Sequence, residues 1–140
     1  MNSIILQIAS RIVRVLLILF ALIALFRGHN HPGGGFIGGM LAGLSIAFRG
    51  FAYNIKAADE MTKFKPQNYV ALGLVLVILS VVPSIYLNDF FMQGEWWKLA
   101  IGSWQLKLGT PLIFDTGVFF VVIGVSVLFL FSLKRQNLWK

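Results

Sequence analysis

The sequence predicts an all-α membrane protein with four transmembrane helices, both termini in the cytoplasm, and a short interfacial hairpin-like loop before the last helix. Of the 140 residues, 58% are hydrophobic and 12% are charged, whereas soluble domains average about 45–50% apolar and about 25% charged residues. Four apolar runs approach the length of about 20 residues that a bilayer requires. The expected spans are about 4–26, 36–53, 69–87 and 112–133 of a single domain, 1–140.

The basic residues predict the orientation. With four spans, the N-terminal end, the second connection and the C-terminal tail share one side of the membrane. That side carries nine basic residues and the other side three, and cytoplasmic loops are the ones rich in Lys and Arg. Because these residues flank the apolar runs, the net charge of +7 does not predict nucleic-acid binding. The nine are Arg11, Arg14, Arg49, Lys56, Lys63, Lys65, Lys134, Arg135 and Lys140, and the three are Arg27, Lys98 and Lys107.

The first span contains a polar stripe. Gln7, Arg11 and Arg14 interrupt its first half at positions i, i+4 and i+7, which places them on one helix face. Arginine side chains in this half can reach a headgroup or face a neighbouring subunit. No small-residue cleavage site precedes Arg27, so this run is expected to remain as a span and not to be removed as a signal peptide.

A glycine-rich segment turns the chain between the first two spans. From Gly35 onward, glycines recur every four residues and are followed by Ala47, so in a helix they stack on one face. Such a bare face allows another helix to approach closely, which is how helices associate in lipid. Packing of this kind is expected because glycine otherwise costs helix stability. The residues assigned to the turn and to helix packing are Gly28, Pro32, Gly33, Gly34, Gly35, Gly38, Gly39 and Gly43.

The two later connections have different patterns. Residues 54–67 are polar and are expected to form a short surface helix that Pro66 ends. Between residues 88 and 109, Trp104, Leu106 and Leu108 alternate with polar residues, as in a strand with one apolar face. We expect this second segment to lie at the membrane interface, where tryptophan is favoured.

Asp115 is the one acidic residue next to a long apolar run. A capping role in its own helix is disfavoured, because Thr110 and Pro111 already supply a good start and leave Asp115 beyond the first turn. An aspartate in hydrocarbon is costly and usually has a function or a partner. The alternatives are a pairing with His29, a lysine of another subunit, a hydrated cation path, or a solvated position at the interface.

The residues exclude several classes of function. There is no nucleophile beside a base, no pair of carboxylates in the apolar runs and no phosphate loop, so no enzyme is predicted. The chain has no cysteine and only two histidines, too few for a metal site. A haem-binding redox protein is disfavoured because His29 and His31 lie in a turn beside Pro32, not on helices facing a pocket. No cofactor is expected.

Two motifs resemble those of a known family. The run from Gly28 to Gly39 and the run from Pro111 to Val118 are similar to the signatures of the MnhB or MrpB component of Mrp-type multisubunit sodium/proton antiporters. The resemblance implies a non-catalytic subunit of a complex in a prokaryotic plasma membrane. It further implies that the complex exchanges cytoplasmic sodium for external protons and that this subunit supports its architecture or the cation path.

The resemblance also sets the expected partners and leaves an alternative. The partners it implies are the other antiporter subunits and membrane lipid, and Asp115 and His29 are the candidate ion-path or intersubunit residues. The alternative keeps the fold and changes the complex, since similar subunits occur in membrane-bound hydrogenases and related respiratory assemblies.

Overall fold

The computed structural model describes residues 4–27, 34–53, 65–86, 94, 96–101 and 104–137. It contains four helices and one β-hairpin in these ranges. In chain order they are α1 (Ile4–Arg27), α2 (Gly34–Ala52), α3 (Pro66–Tyr86), β1 (Trp96–Ile101), β2 (Trp104–Gly109) and α4 (Thr110–Asn137). All four helices are long and apolar enough to cross a membrane. The predicted fold class of four transmembrane helices is therefore confirmed.

The helix bounds differ from the predicted spans in ways that have local causes. Helix α4 continues to Asn137, four residues beyond the expected span, and α3 begins at Pro66, three residues before its expected start at Tyr69. Pro66 and Gln67 were assigned to the polar connection and belong to α3 instead, because proline is well tolerated in the first turn of a helix, where its missing N–H would have no partner. The rest of the expected surface helix, residues 54–64, lies outside the described residues.

The segment before α4 forms a two-stranded antiparallel hairpin. Trp96 pairs with Gly109 and Ile101 pairs with Trp104. The second strand coincides with the segment in which apolar and polar residues alternate. Since β2 ends at Gly109 and α4 begins at Thr110, the hairpin is joined to the last helix without an intervening loop. Its position at the membrane interface remains a prediction.

The helices form a row in the order α1, α2, α4, α3. Helix α2 packs against both α1 and α4, and α4 packs against both α2 and α3. Residues along α2 meet residues of α4 in the same order, so these two helices are parallel, whereas α3 and α4 run antiparallel. Six residues join α1 to α2, too few to return along a helix, so that pair is antiparallel. The start of α1 and the end of α4 therefore lie at the same end of the row.

The buried centre lies between α2 and α4. Its core comprises Ile46, Ile123, Val127 and Leu130. Most other large apolar side chains face outward, for example Ile78, which is 66% exposed, as expected where lipid or neighbouring helices replace water. The buried serine hydroxyls donate within their own helix, as Ser45 Oγ does to Ala42 O at 2.6 Å.

Candidate functional site

The repeated glycines of α2 contact α4 of the same chain. A side chain at any of the three would collide with α4, in two cases with its backbone. A Cβ would overlap the backbone carbonyl of Asp115 at Gly35, lie 2.8 Å from Phe119 O at Gly39, and lie 2.7 Å from Ser126 Cβ at Gly43. The spacing predicts one bare face, and the structure places this chain's own last helix against it.

Gly38 lies on a different side of α2 and contacts a different helix. A Cβ there would lie 2.7 Å from the carbonyl oxygen of Ala21 on α1 and 3.2 Å from Cδ2 of Phe119 on α4. Since Ala21 is also buried, the two backbones approach closely at this level. Helix α2 therefore uses glycine to approach both of its neighbours.

A second glycine contact joins α3 to α4. A Cβ on Gly73 would lie 2.5 Å from Gly117 O, and a Cβ on Gly117 would lie 2.7 Å from Gly73 O, so these two residues face each other. One turn away in α3, the ring of Tyr69 stacks on that of Phe120 with centroids 6.3 Å apart. This interface was not predicted from the sequence. The sequence feature that could have indicated this interface is the pair Gly117 and Gly124, which lie seven residues, or about two helical turns, apart in α4.

Asp115 lies where the start of α2 meets α4. Its half-buried side chain reaches the first residue of α2, since a Cβ built on Gly34 would be 3.3 Å from Oδ2 and 3.4 Å from Oδ1. Gly34 has a φ of 86°, a left-handed conformation that favours glycine. The structure thus brings together Asp115, Gly34 and Gly35, which the sequence patterns indicated separately.

The remaining residues of the predicted turn are not described. Gly28, His29, Pro32 and Gly33 lie outside the described ranges, so the pairing of His29 with Asp115 stays a prediction. The turn nevertheless enters α2 at Gly34, which is the residue beside the Asp115 carboxylate.

Asp115 is also the one acidic residue in the described part of the chain. A carboxylate can accept hydrogen bonds, take up a proton or ligate a cation. The neighbouring hydroxyl of Thr116 donates to Leu112 O at 2.7 Å and so serves its own helix. By contrast, a groove of about 370 Å³ between α2 and α4 has an almost wholly apolar lining, in which Ser126 supplies the side-chain hydroxyl. Among these places, the Asp115 junction is the one with a carboxylate side chain.

The polar stripe of α1 lies level with the end of α2. Ala21 faces Gly38. Ser10 lies eleven residues before Ala21 in α1, and Arg49 lies eleven residues after Gly38 in α2, so in these antiparallel helices Ser10 and Arg49 are level. Arg49 occupies the last turn of α2, with its Cζ 5.4 Å from the centroid of the Tyr53 ring. Arg11 therefore lies near one end of the row and not at its middle.

Comparisons with known proteins agree with this fold. The family described as "Domain related to MnhB subunit of Na+/H+ antiporter" matches residues 5–128. A Na(+)/H(+) antiporter subunit of Bacillus subtilis is 33% identical over 97% of this chain and 96% of its own length. A Na(+)/H(+) antiporter subunit of the same name from Alkalihalophilus pseudofirmus is 27% identical over 98% of this chain and 96% of its own length.

A solved structure is similar as well. The Mrp complex from Dietzia sp. DQ12-45-1b contains a chain that matches with a TM-score of 0.74 and 30% sequence identity. The match covers 90% of the present chain and 13% of the Dietzia chain, so the present chain corresponds to a small part of that protein. The resemblance drawn from the two sequence motifs is confirmed: the chain belongs to the family of domains related to the MnhB subunit of the Na+/H+ antiporter.

Proposed function

We propose that the chain is a non-catalytic membrane subunit of a multisubunit antiporter that exchanges cytoplasmic Na+ for external H+. The observation that carries this proposal is the similarity, over almost the whole of both chains, to the Na(+)/H(+) antiporter protein of Bacillus subtilis. The partners are the other subunits of an Mrp-type complex, in keeping with the similarity to a chain of the Dietzia Mrp complex.

The arrangement of the helices supports an architectural role. A row of four helices leaves broad apolar surfaces on its outer members, since Ile23 of α1 is 52% exposed and Ile78 of α3 is 66% exposed. Such surfaces fit lipid or the helices of neighbouring subunits. The four helices of the chain would then pack as one layer between larger subunits.

The basic residues support an orientation with both termini in the cytoplasm of a prokaryotic cell. Arg11 is level with Arg49 at one end of the row, and α4 ends there with Lys134 and Arg135 in its sequence. This is the distribution that the positive-inside rule assigns to the cytoplasmic face of a plasma membrane. The Asp115 junction would then lie toward the external face.

Within this function, Asp115 is the candidate for the cation path or for an intersubunit contact, with His29 as its candidate partner. It combines a half-buried carboxylate with a position at a helix junction. Intramembrane carboxylates commonly serve proton and cation relays.

The subunit assignment is tested on the complex itself. Mass spectrometry of the intact assembly purified through this chain should identify the other antiporter subunits, and everted vesicles from cells lacking the chain should lose Na+/H+ exchange that the restored chain returns. Copurification with hydrogenase or iron–sulfur subunits would instead support the respiratory alternative, and exchange unaffected by the deletion would contradict the proposal.

A further inference from the structure

We propose that the groove between α2 and α4 binds one acyl chain of a phospholipid, whose phosphate headgroup lies at the basic end of the helix row. The inference requires only that the chain crosses a membrane, and it does not depend on the proposed transport function. It assigns a lipid to this surface in place of a helix from a neighbouring subunit.

The groove is long and narrow. It follows α2 from Met40 to Phe51, a distance of eleven residues or about 16 Å at the helical rise. A volume of about 370 Å³ over that length gives a mean cross-section of roughly 23 Å². A helix with its side chains is about 10–12 Å wide, which corresponds to a cross-section of roughly 80–110 Å². The groove therefore has room for a single hydrocarbon chain, whereas a helix is too wide to enter it.

The side chains of the groove match hydrocarbon. Gly43 and Ala47, one turn apart in α2, are its small residues, and the rings of Phe51 and Phe129 line it from α2 and α4. These two rings are 68% and 65% exposed, so they are available to an occupant. The hydroxyl of Ser126 lies against the helix contact, with Oγ 2.9 Å from the position of a Cβ on Gly43.

The groove extends over one leaflet of the membrane. The apolar part of α4 is Thr110–Ser132, so its middle is at Val121. Met40, where the groove begins, follows Gly39, which contacts Val122 at that level. One leaflet supplies half of a hydrocarbon core that is about 30 Å thick, and the groove is about as long as that half. An acyl chain ends at the membrane centre, whereas a spanning helix would continue through both leaflets.

The outer end of the groove lies level with basic residues. Gly43 contacts Ser126, and eight residues further along these parallel helices Phe51 is level with Lys134. The groove therefore opens at the end of the row where α4 finishes.

The charges of the described residues differ between the two ends of the row. Arg11 and Arg49 lie at the end where the groove opens, and Asp115, the one acidic residue in the described ranges, lies beside Gly34 at the other end. Anionic headgroups are attracted to basic residues at a membrane surface. The occupant that fits both the apolar groove and its basic end is an anionic phospholipid.

Photolabelling of the assembled complex in vesicles tests this inference. The probe is phosphatidylglycerol with a photoreactive group in its acyl chain, and mass spectrometry of peptides locates the labelled residues. We expect saturable labelling of Leu44, Phe51 and Phe129, for which unlabelled phosphatidylglycerol competes roughly five-fold better than phosphatidylcholine, the factor expected for one basic residue near the surface. Ile78 on α3 is 66% exposed and reports ordinary lipid contact, so its labelling should show no such preference.

A variant that fills the groove provides the second test. Ala47→Phe places a ring among the lining residues and should remove the saturable labelling of the groove. Val75→Phe is the matched control, because it adds the same ring at a site on α3 that is 52% exposed, and it should leave that labelling unchanged. If Ala47→Phe fails to assemble, the competition between lipids in the wild-type complex decides the question.

Three results would overturn the inference. They are groove labelling that shows no preference for the anionic lipid, saturable labelling that persists in Ala47→Phe, and absence of groove labelling in a complex where a helix of another subunit can be cross-linked to Leu44 or Phe129. Ion exchange enters none of these measurements, so a failure of the proposed transport function would be seen separately.

Discussion

The carboxylate of Asp115 on α4 lies beside Gly34, the first residue of α2, with Oδ2 3.3 Å from the position that a Cβ of Gly34 would occupy. This contact links two parallel helices that are far apart in the chain. At this junction a carboxylate lies beside a close contact between two helices. Variants can therefore test separately the effect of the Asp115 charge and the effect of side-chain size in the helix contact.

Asp115→Asn separates those effects. The variant keeps the size and the acceptor capacity of the side chain and removes its charge, so we expect a normally assembled complex with impaired Na+/H+ exchange in everted vesicles. Thr116→Val is the matched control, because the Thr116 hydroxyl donates to Leu112 O of its own helix and its loss should leave exchange intact. Normal exchange in Asp115→Asn would remove Asp115 from the ion path.

Gly39→Leu tests the contact between α2 and α4. A Cβ at this position would already lie 2.8 Å from Phe119 O, and overpacking costs about 1–3 kcal/mol even in soluble cores. Because the contacting helix is part of the same chain, we expect a lower melting temperature of this protein and, as a result, a reduced yield of the complex. Met40→Leu is the control, since Met40 is 51% exposed. Wild-type stability of Gly39→Leu would disprove the close contact.

Gly73 and Gly117 should behave as a coupled pair. An alanine at either position meets the carbonyl oxygen of the other, so each single variant already forces α3 and α4 apart. The double variant should therefore cost less than the sum of the singles, by about 0.5–3 kcal/mol. Unfolding of the detergent-solubilised chain measures this, with the exposed Leu74→Ala as the control. Additive losses would mean that the two glycines do not share one contact.

Reporter fusions test the orientation. With nine basic residues on one side and three on the other, fusions at Lys63 and after Lys140 should report the cytoplasm. A fusion near Trp97 should report the outside. A periplasmic signal from the Lys63 fusion would reverse the topology and would move the Asp115 junction to the cytoplasmic face.

The sequence by itself determined the features that depend on neighbouring residues in the chain. Hydropathy defined four spans, alternation indicated the strand at Trp104, and the four-residue spacing from Gly35 to Gly43 defined one bare helix face. These are properties of single segments, because apolar length and side-chain periodicity are local. The start of α3 at Pro66 was missed, since proline both ends and begins helices.

Only the tertiary structure decided which segments meet. The spacing of the α2 glycines does not indicate that α4 is the helix they contact. Likewise, the sequences of α3 and α4 do not indicate that Gly73 contacts Gly117. The same holds for Asp115, whose carboxylate lies beside the start of a different helix. In lipid, helices are selected by the fit of their surfaces and not by burial of apolar area, and that fit exists only once the helices have assembled.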